Sequence, residues 1–98
     1  MSITAYHFWS PTCAPCKIIK PAIEDLKEEF SDVTWVSVNT HDDGEMLAGL
    51  YGVSVVPTIV VEVRDDVGSV VSTEKQSGTN IAAYYRIIRN ALRVIRQS

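Results

Sequence analysis

The chain has 98 residues, 46% of them hydrophobic, a formal net charge of −3 and only two cysteines. That length fits a single domain, residues 1–98; two cysteines are too few for a disulfide-scaffolded secreted module, and the acidic balance argues against a nucleic-acid partner. No apolar run approaches the ~18 residues of a membrane span, and Met1-Ser2-Ile3-Thr4 shows neither the basic nor the apolar part of a secretion signal. A cytoplasmic monomer with no membrane contact is expected, and in that reducing setting a cysteine pair is more often catalytic or metal-binding than structural.

Residues 3–9 are rich in β-branched and aromatic side chains and read as a strand. Ser10-Pro11-Thr12 is a loop, and Pro11 keeps a helix from starting earlier. Residues 13–30 read as a helix, because Ile18, Ile19, Ala22, Ile23, Leu26 and Phe30 recur at spacings of three and four. Pro21 lies inside that pattern and removes a backbone hydrogen bond, which predicts a kink. Residues 33–39 form a second strand. In the polar turn that follows, His41-Asp42-Asp43 reads as a helix start with capping acids rather than as a metal site. Residues 45–51 then make a short helix that Gly52 ends.

Thr58 to Arg64 is a third strand, Asp65-Asp66-Val67-Gly68 a hairpin turn, and residues 69–74 a fourth strand. Gln76-Ser77-Gly78 reads as a loop, and Thr79 or Asn80 caps a last helix from Ile81 to Arg96. Ile81, Tyr84, Ile88, Ala91, Leu92 and Ile95 form its apolar face, and Arg86, Arg89, Arg93 and Arg96 its solvated one. The order is βαβαββα. The helical crossover makes the first two strands parallel, and the short turn makes the last two antiparallel.

Both cysteines lie in Cys13-Ala14-Pro15-Cys16, between the first strand and the first helix. A cysteine at a helix N-terminus faces unpaired backbone N–H groups and the positive end of the helix dipole. Both favour the thiolate, the attacking species in thiol–disulfide exchange. The second cysteine, one turn on, is close enough to close a ring with the first. A metal or iron–sulfur site shared across a dimer is the competing use, although one pair supplies only two of the usual four ligands.

Three stretches carry a resemblance to the thioredoxin family. Phe8-Trp9-Ser10-Pro11-Thr12-Cys13-Ala14-Pro15-Cys16-Lys17 resembles the family's Phe-Trp-Ala-x-Trp-Cys-Gly-Pro-Cys-Lys. Pro21 stands five residues after the second cysteine, like the family's kink proline. Tyr51-Gly52-Val53-Ser54-Val55-Val56-Pro57-Thr58 resembles the segment that leads to its cis-proline. The resemblance implies an α/β thioredoxin fold, a four-stranded mixed sheet flanked by helices. The family's usual first strand and helix are missing, which brings the chain close to the minimal core that glutaredoxins use. Thr12 and Ala14 replace the usual tryptophan and glycine, the family's buried acid falls at His7, and the lysine beside that acid falls near Ser37.

The implied activity is reduction of disulfides in client proteins, with Cys13 as the exposed nucleophile and Cys16 as the resolving thiol. A separate enzyme of the thioredoxin reductase type recharges the pair, and no cofactor is needed beyond the Cys13–Cys16 disulfide. The resemblance implies a cis bond before Pro57, with the backbone of Val56 pairing with the client. Pro15 rigidifies the helix start. Trp9, Thr12, Ala14, Val56 and Thr58 are implied to bind the client, and specificity is expected at Thr12, Ala14, Val56 and the loop after Ser77, which surround the disulfide. Trp9 packs beneath the active-site loop, and Lys17 lies on a solvated face. His7 is either a hydrogen-bonded core histidine or the proton acceptor for Cys16. Ala14-Pro15 is nearer the family's reducing Gly-Pro than the Pro-His of oxidising relatives. A glutathione-dependent reductase of glutaredoxin type and a non-catalytic binding module are the alternatives.

Overall fold

A computed structural model describes residues 1–97. In chain order the elements are β1 (Ser2–Trp9), α1 (Ala14–Glu29), β2 (Thr34–Asn39), α2 (Leu47–Leu50), β3 (Thr58–Arg64), β4 (Val70–Ser77) and α3 (Ile81–Arg96). The strands form one sheet in the order β2-β1-β3-β4. β1 and β2 are parallel, with Phe8 opposite Val38, and β1 and β3 are antiparallel, with His7 opposite Ile59. β3 and β4 are antiparallel, with Thr58 opposite Ser77.

Side chains alternate between the two faces of the sheet. On one face Ile3 and Ala5 of β1 and Ile59, Val61 and Val63 of β3 pack against Ile19, Ile23 and Leu26 of α1 and Tyr84 and Ile88 of α3. On the other, Phe8, Val38 and Val60 form a smaller core under Leu47, Tyr51 and Val56. β3 is buried along nearly its whole length because it is covered on both faces, and its Thr-Ile-Val-Val-Glu-Val run is correspondingly apolar. Its one acid, Glu62, accepts from the Tyr51 hydroxyl at 2.8 Å and from Arg64 Nε at 2.7 Å.

Three expectations change. α2 is four residues long rather than seven: Met46 sits in the left-handed region at φ 56°, and the Asp43 carboxylate takes the N–H groups of Leu47 and Ala48, both at 2.9 Å. β4 runs to Ser77, through residues read as loop, because pairing with β3 outweighs their polar character. Ile18 is 76% exposed, since Cys16, Ile19, Ile23 and Leu26 define the buried stripe of α1 and Ile18 lies off it. α1 continues through Pro21, which leaves the Lys17 carbonyl without its helical partner.

Candidate active site

The site begins where β1 ends. The Cys13 N–H donates to the Ser10 carbonyl at 3.2 Å, which turns the chain out of the sheet. Cys13 is the N-cap of α1, with φ −90° and ψ 105°. Pro15 falls in the first turn, where its missing N–H leaves no bond unmade. Cys13 and Cys16 are joined in a disulfide, with Cα atoms 5.3 Å apart. The Cys16 N–H donates to Cys13 Sγ at 3.1 Å, so this sulfur occupies the position of a capping oxygen. That contact folds Cys13 inward and leaves it 8% exposed, against 6% for Cys16. The exposure expected of the attacking cysteine is therefore slight in the disulfide state. Thr12, Ala14, Pro15 and Lys17 are exposed around it.

The proline segment that the resemblance sets beside the cysteines lies before β3. The Val56–Pro57 bond is cis. Thr58, placed by the sequence among the residues around the disulfide, is fully buried. Its hydroxyl meets the Val55 carbonyl at 2.8 Å and Ser77 Oγ at 2.6 Å. The Gly78 N–H donates to the Pro57 carbonyl at 3.0 Å, with Gly78 at φ 103°. The buried Tyr84 hydroxyl donates to the Pro57 carbonyl at 3.2 Å and to that of Gly78. The proline loop is thus held by side chains from β3, β4 and α3. Val56 is half-buried in the smaller core, and Val55 stays exposed.

Behind the disulfide, His7 and Trp9 project from β1 toward α1. The Trp9 indole N–H donates to Ser37 Oγ at 2.7 Å, which pins the ring under the loop. His7 is 7% exposed, and its Nε2 has no hydrogen-bond partner among the described residues. Burial favours the neutral imidazole, lowering its pKa from 6.5 to about 4. Lys27 adds repulsion and Glu24 offsets part of it.

Thioredoxin is the family whose sequence model matches, over residues 3–86. The chain belongs to the thioredoxin family. It is 41% identical to thioredoxin of Bacillus subtilis (strain 168) over 66 residues, 67% of this chain and 61% of that one. With thioredoxin of Mycoplasma genitalium it shares 43% over 54 residues, 55% of this chain and 52% of the relative. It therefore spans under two thirds of the length of these relatives. The structure of Fasciola hepatica thioredoxin superposes with a TM-score of 0.75 at 27% identity, covering 92% of this chain and 81% of that one. A chain from a complex of ferredoxin:thioredoxin reductase with thioredoxin f2 superposes at 0.76 and 26% identity, covering 92% and 77%.

Against the thioredoxin pattern, the structure brings Cys13, Cys16, Trp9 and His7 together behind one loop and sets Pro57 in a second. Sequence reasoning placed the loop after Ser77, where Gly78 lies, near the site but missed Ser10, Ser77 and Tyr84. Only Tyr84 carried a signal, because a tyrosine on an apolar helix face needs a partner for its hydroxyl. His41 is exposed, and Asp43 is used as a cap. Among the described residues no group of three or more His, Cys, Asp or Glu side chains is placed to hold a metal ion. Nor is any described helix long and apolar enough to cross a membrane.

Proposed function

We propose that residues 1–98 act as one monomeric domain, a thiol–disulfide oxidoreductase of thioredoxin type that reduces client protein disulfides. The observation that carries this reading is the Cys13–Cys16 disulfide at the N-terminus of α1 in a chain of this family. In the reduced form the Cys13 thiolate attacks one sulfur of the client disulfide. A mixed disulfide forms, and the other client sulfur leaves as a thiolate. The Cys16 thiol then loses its proton, attacks Cys13 Sγ and releases the second client thiolate. Two electrons pass from the dithiol to the client, so the pair itself carries the redox equivalents.

In this reading His7 Nε2 takes the Cys16 proton. It is unpartnered and buried, lines the same cavity as Cys16, and is neutral near pH 7. The exposed Thr12 and Ala14 and the Val56 backbone meet the client, while Thr58 acts from inside by fixing the Val55 carbonyl. A separate reductase restores the dithiol. The likeness to a thioredoxin f2 seen with ferredoxin:thioredoxin reductase supports that class of partner. A reducing compartment such as the cytoplasm drives the cycle in this direction.

The test is the midpoint potential of the cysteine pair, equilibrated against a dithiol buffer and read by tryptophan fluorescence. A value of roughly −270 mV is expected for a reductase, and one near roughly −120 mV marks an oxidant. If no reversible internal disulfide forms, the binding-module reading replaces this one.

A further inference from the structure

Between β1 and α1, beside Cys16 and the Ser10-Pro11 loop, the protein has a half-open cavity of about 360 Å³. That is the lower range of small-molecule sites. Its floor is His7 and Trp9, with Pro11 and Cys16 on its walls, and Lys17 and Lys20 of α1 edge it. Three observations give it a ligand chemistry. His7 Nε2 is a buried polar atom with nothing to bond, a condition rare enough in folded proteins to call for an explanation. Trp9 and Pro11 offer flat apolar surface. Glu24 pairs with Lys27 at 3.4 Å, while Lys17 and Lys20 have no ion-pair partner among the described residues. The edge therefore holds unneutralised positive charge in a chain whose net charge is −3.

We propose that this cavity is a binding site for a small organic anion with a flat apolar body, of the aromatic carboxylate class. The body lies against Trp9 and Pro11, and the carboxylate meets His7 Nε2 and the positive charge of Lys17 and Lys20. A purely apolar ligand leaves Nε2 unsatisfied, and an inorganic anion leaves the apolar walls uncovered. The site shares His7 and Cys16 with the proton transfer proposed above, and binding is read in the oxidised protein, where Cys16 carries no proton to transfer.

The experiment is an NMR titration of the intact oxidised protein with benzoate, benzyl alcohol and inorganic sulfate in turn, following the His7 imidazole and Trp9 indole signals. Saturable benzoate shifts of both signals are expected, weakened by added salt. The exposed-site variant Lys20→Gln should weaken benzoate about two- to fivefold and leave benzyl alcohol unchanged. His7→Phe should weaken benzoate by about tenfold. Non-saturating shifts, shifts that spare His7 and Trp9, or equal binding of benzoate and benzyl alcohol would overturn the proposal. So would sulfate reproducing the benzoate shifts, which leaves only surface lysines as the site.

Discussion

Tyr84 is fully buried, and its hydroxyl spans two carbonyls that belong to different loops, those of Pro57 and Gly78. Removing that hydroxyl takes away the one proton shared between the buried Pro57 carbonyl and the half-buried Gly78 carbonyl. The Pro57 carbonyl retains the Gly78 N–H. Tyr84→Phe should therefore lower unfolding free energy by about 1–3 kcal/mol, measured by urea denaturation, with a smaller loss of client reduction. Thr58→Val is the companion change: it keeps the shape and removes the bond to the Val55 carbonyl. A loss of about 1–2 kcal/mol is expected, and unchanged stability would show that the hydroxyl does not hold the loop. The cysteines and Pro57 were legible in the sequence because their roles depend on local order: a strand end, a helix start, a proline before a strand. Ser77 and Ser10 were not, and Tyr84 showed only that its hydroxyl needs a partner, because the partners lie across the fold or in the backbone, where no side-chain pattern records them.

α1 and α3 carry apolar stripes long enough to announce themselves, and their observed ends fall within a residue of the expected ones. α2 does not. Its four residues make too few internal bonds to stand alone, and its start depends on one side chain, Asp43, capping from outside the helix. Asp43→Ala should cost about 1 kcal/mol and should speed hydrogen exchange at the Leu47 and Ala48 amides ahead of those of α1. Equal exchange in the variant and the parent would mean that packing of Leu47 and Tyr51 holds the helix without the cap. β4 was read as shorter than it is for a related reason. Glu74, Lys75, Gln76 and Ser77 have low strand propensity, but the edge they occupy is set by β3, and α3 covers their inner side.

Two buried titratable groups bound the stability of the whole molecule. His7 has a folded pKa of about 4, below its ordinary 6.5, because burial penalises the imidazolium. Between those values the unfolded chain binds the proton more readily, so its contribution is complete above pH 6.5 and is lost as pH falls toward 4. The loss is about 3 kcal/mol. Tyr84 is pushed by burial from 10.0 to about 12. Its contribution is complete below pH 10 and is lost, again by about 3 kcal/mol, as pH rises to 12. Thermal melts should give a plateau near neutral pH. His7→Phe should flatten the acid limb alone and Tyr84→Phe part of the alkaline limb alone, since burial also raises the Tyr51 pKa; an acid limb that survives His7→Phe would assign it to the carboxylates. The parallel first pair and the antiparallel last pair of strands could be read from connection lengths. The smaller core under α2 could not, since its members are scattered singly along the sequence. The ties at Pro57 also set an order of events during synthesis. Cys13 and Cys16 leave a ribosome early and Tyr84 late, so the nascent chain presents its thiols before α3 exists to hold the loop beside them. Until that helix docks, the pair is open to any oxidant or stray disulfide, and the time taken to synthesise the chain from Cys16 through α3 sets most of that exposure.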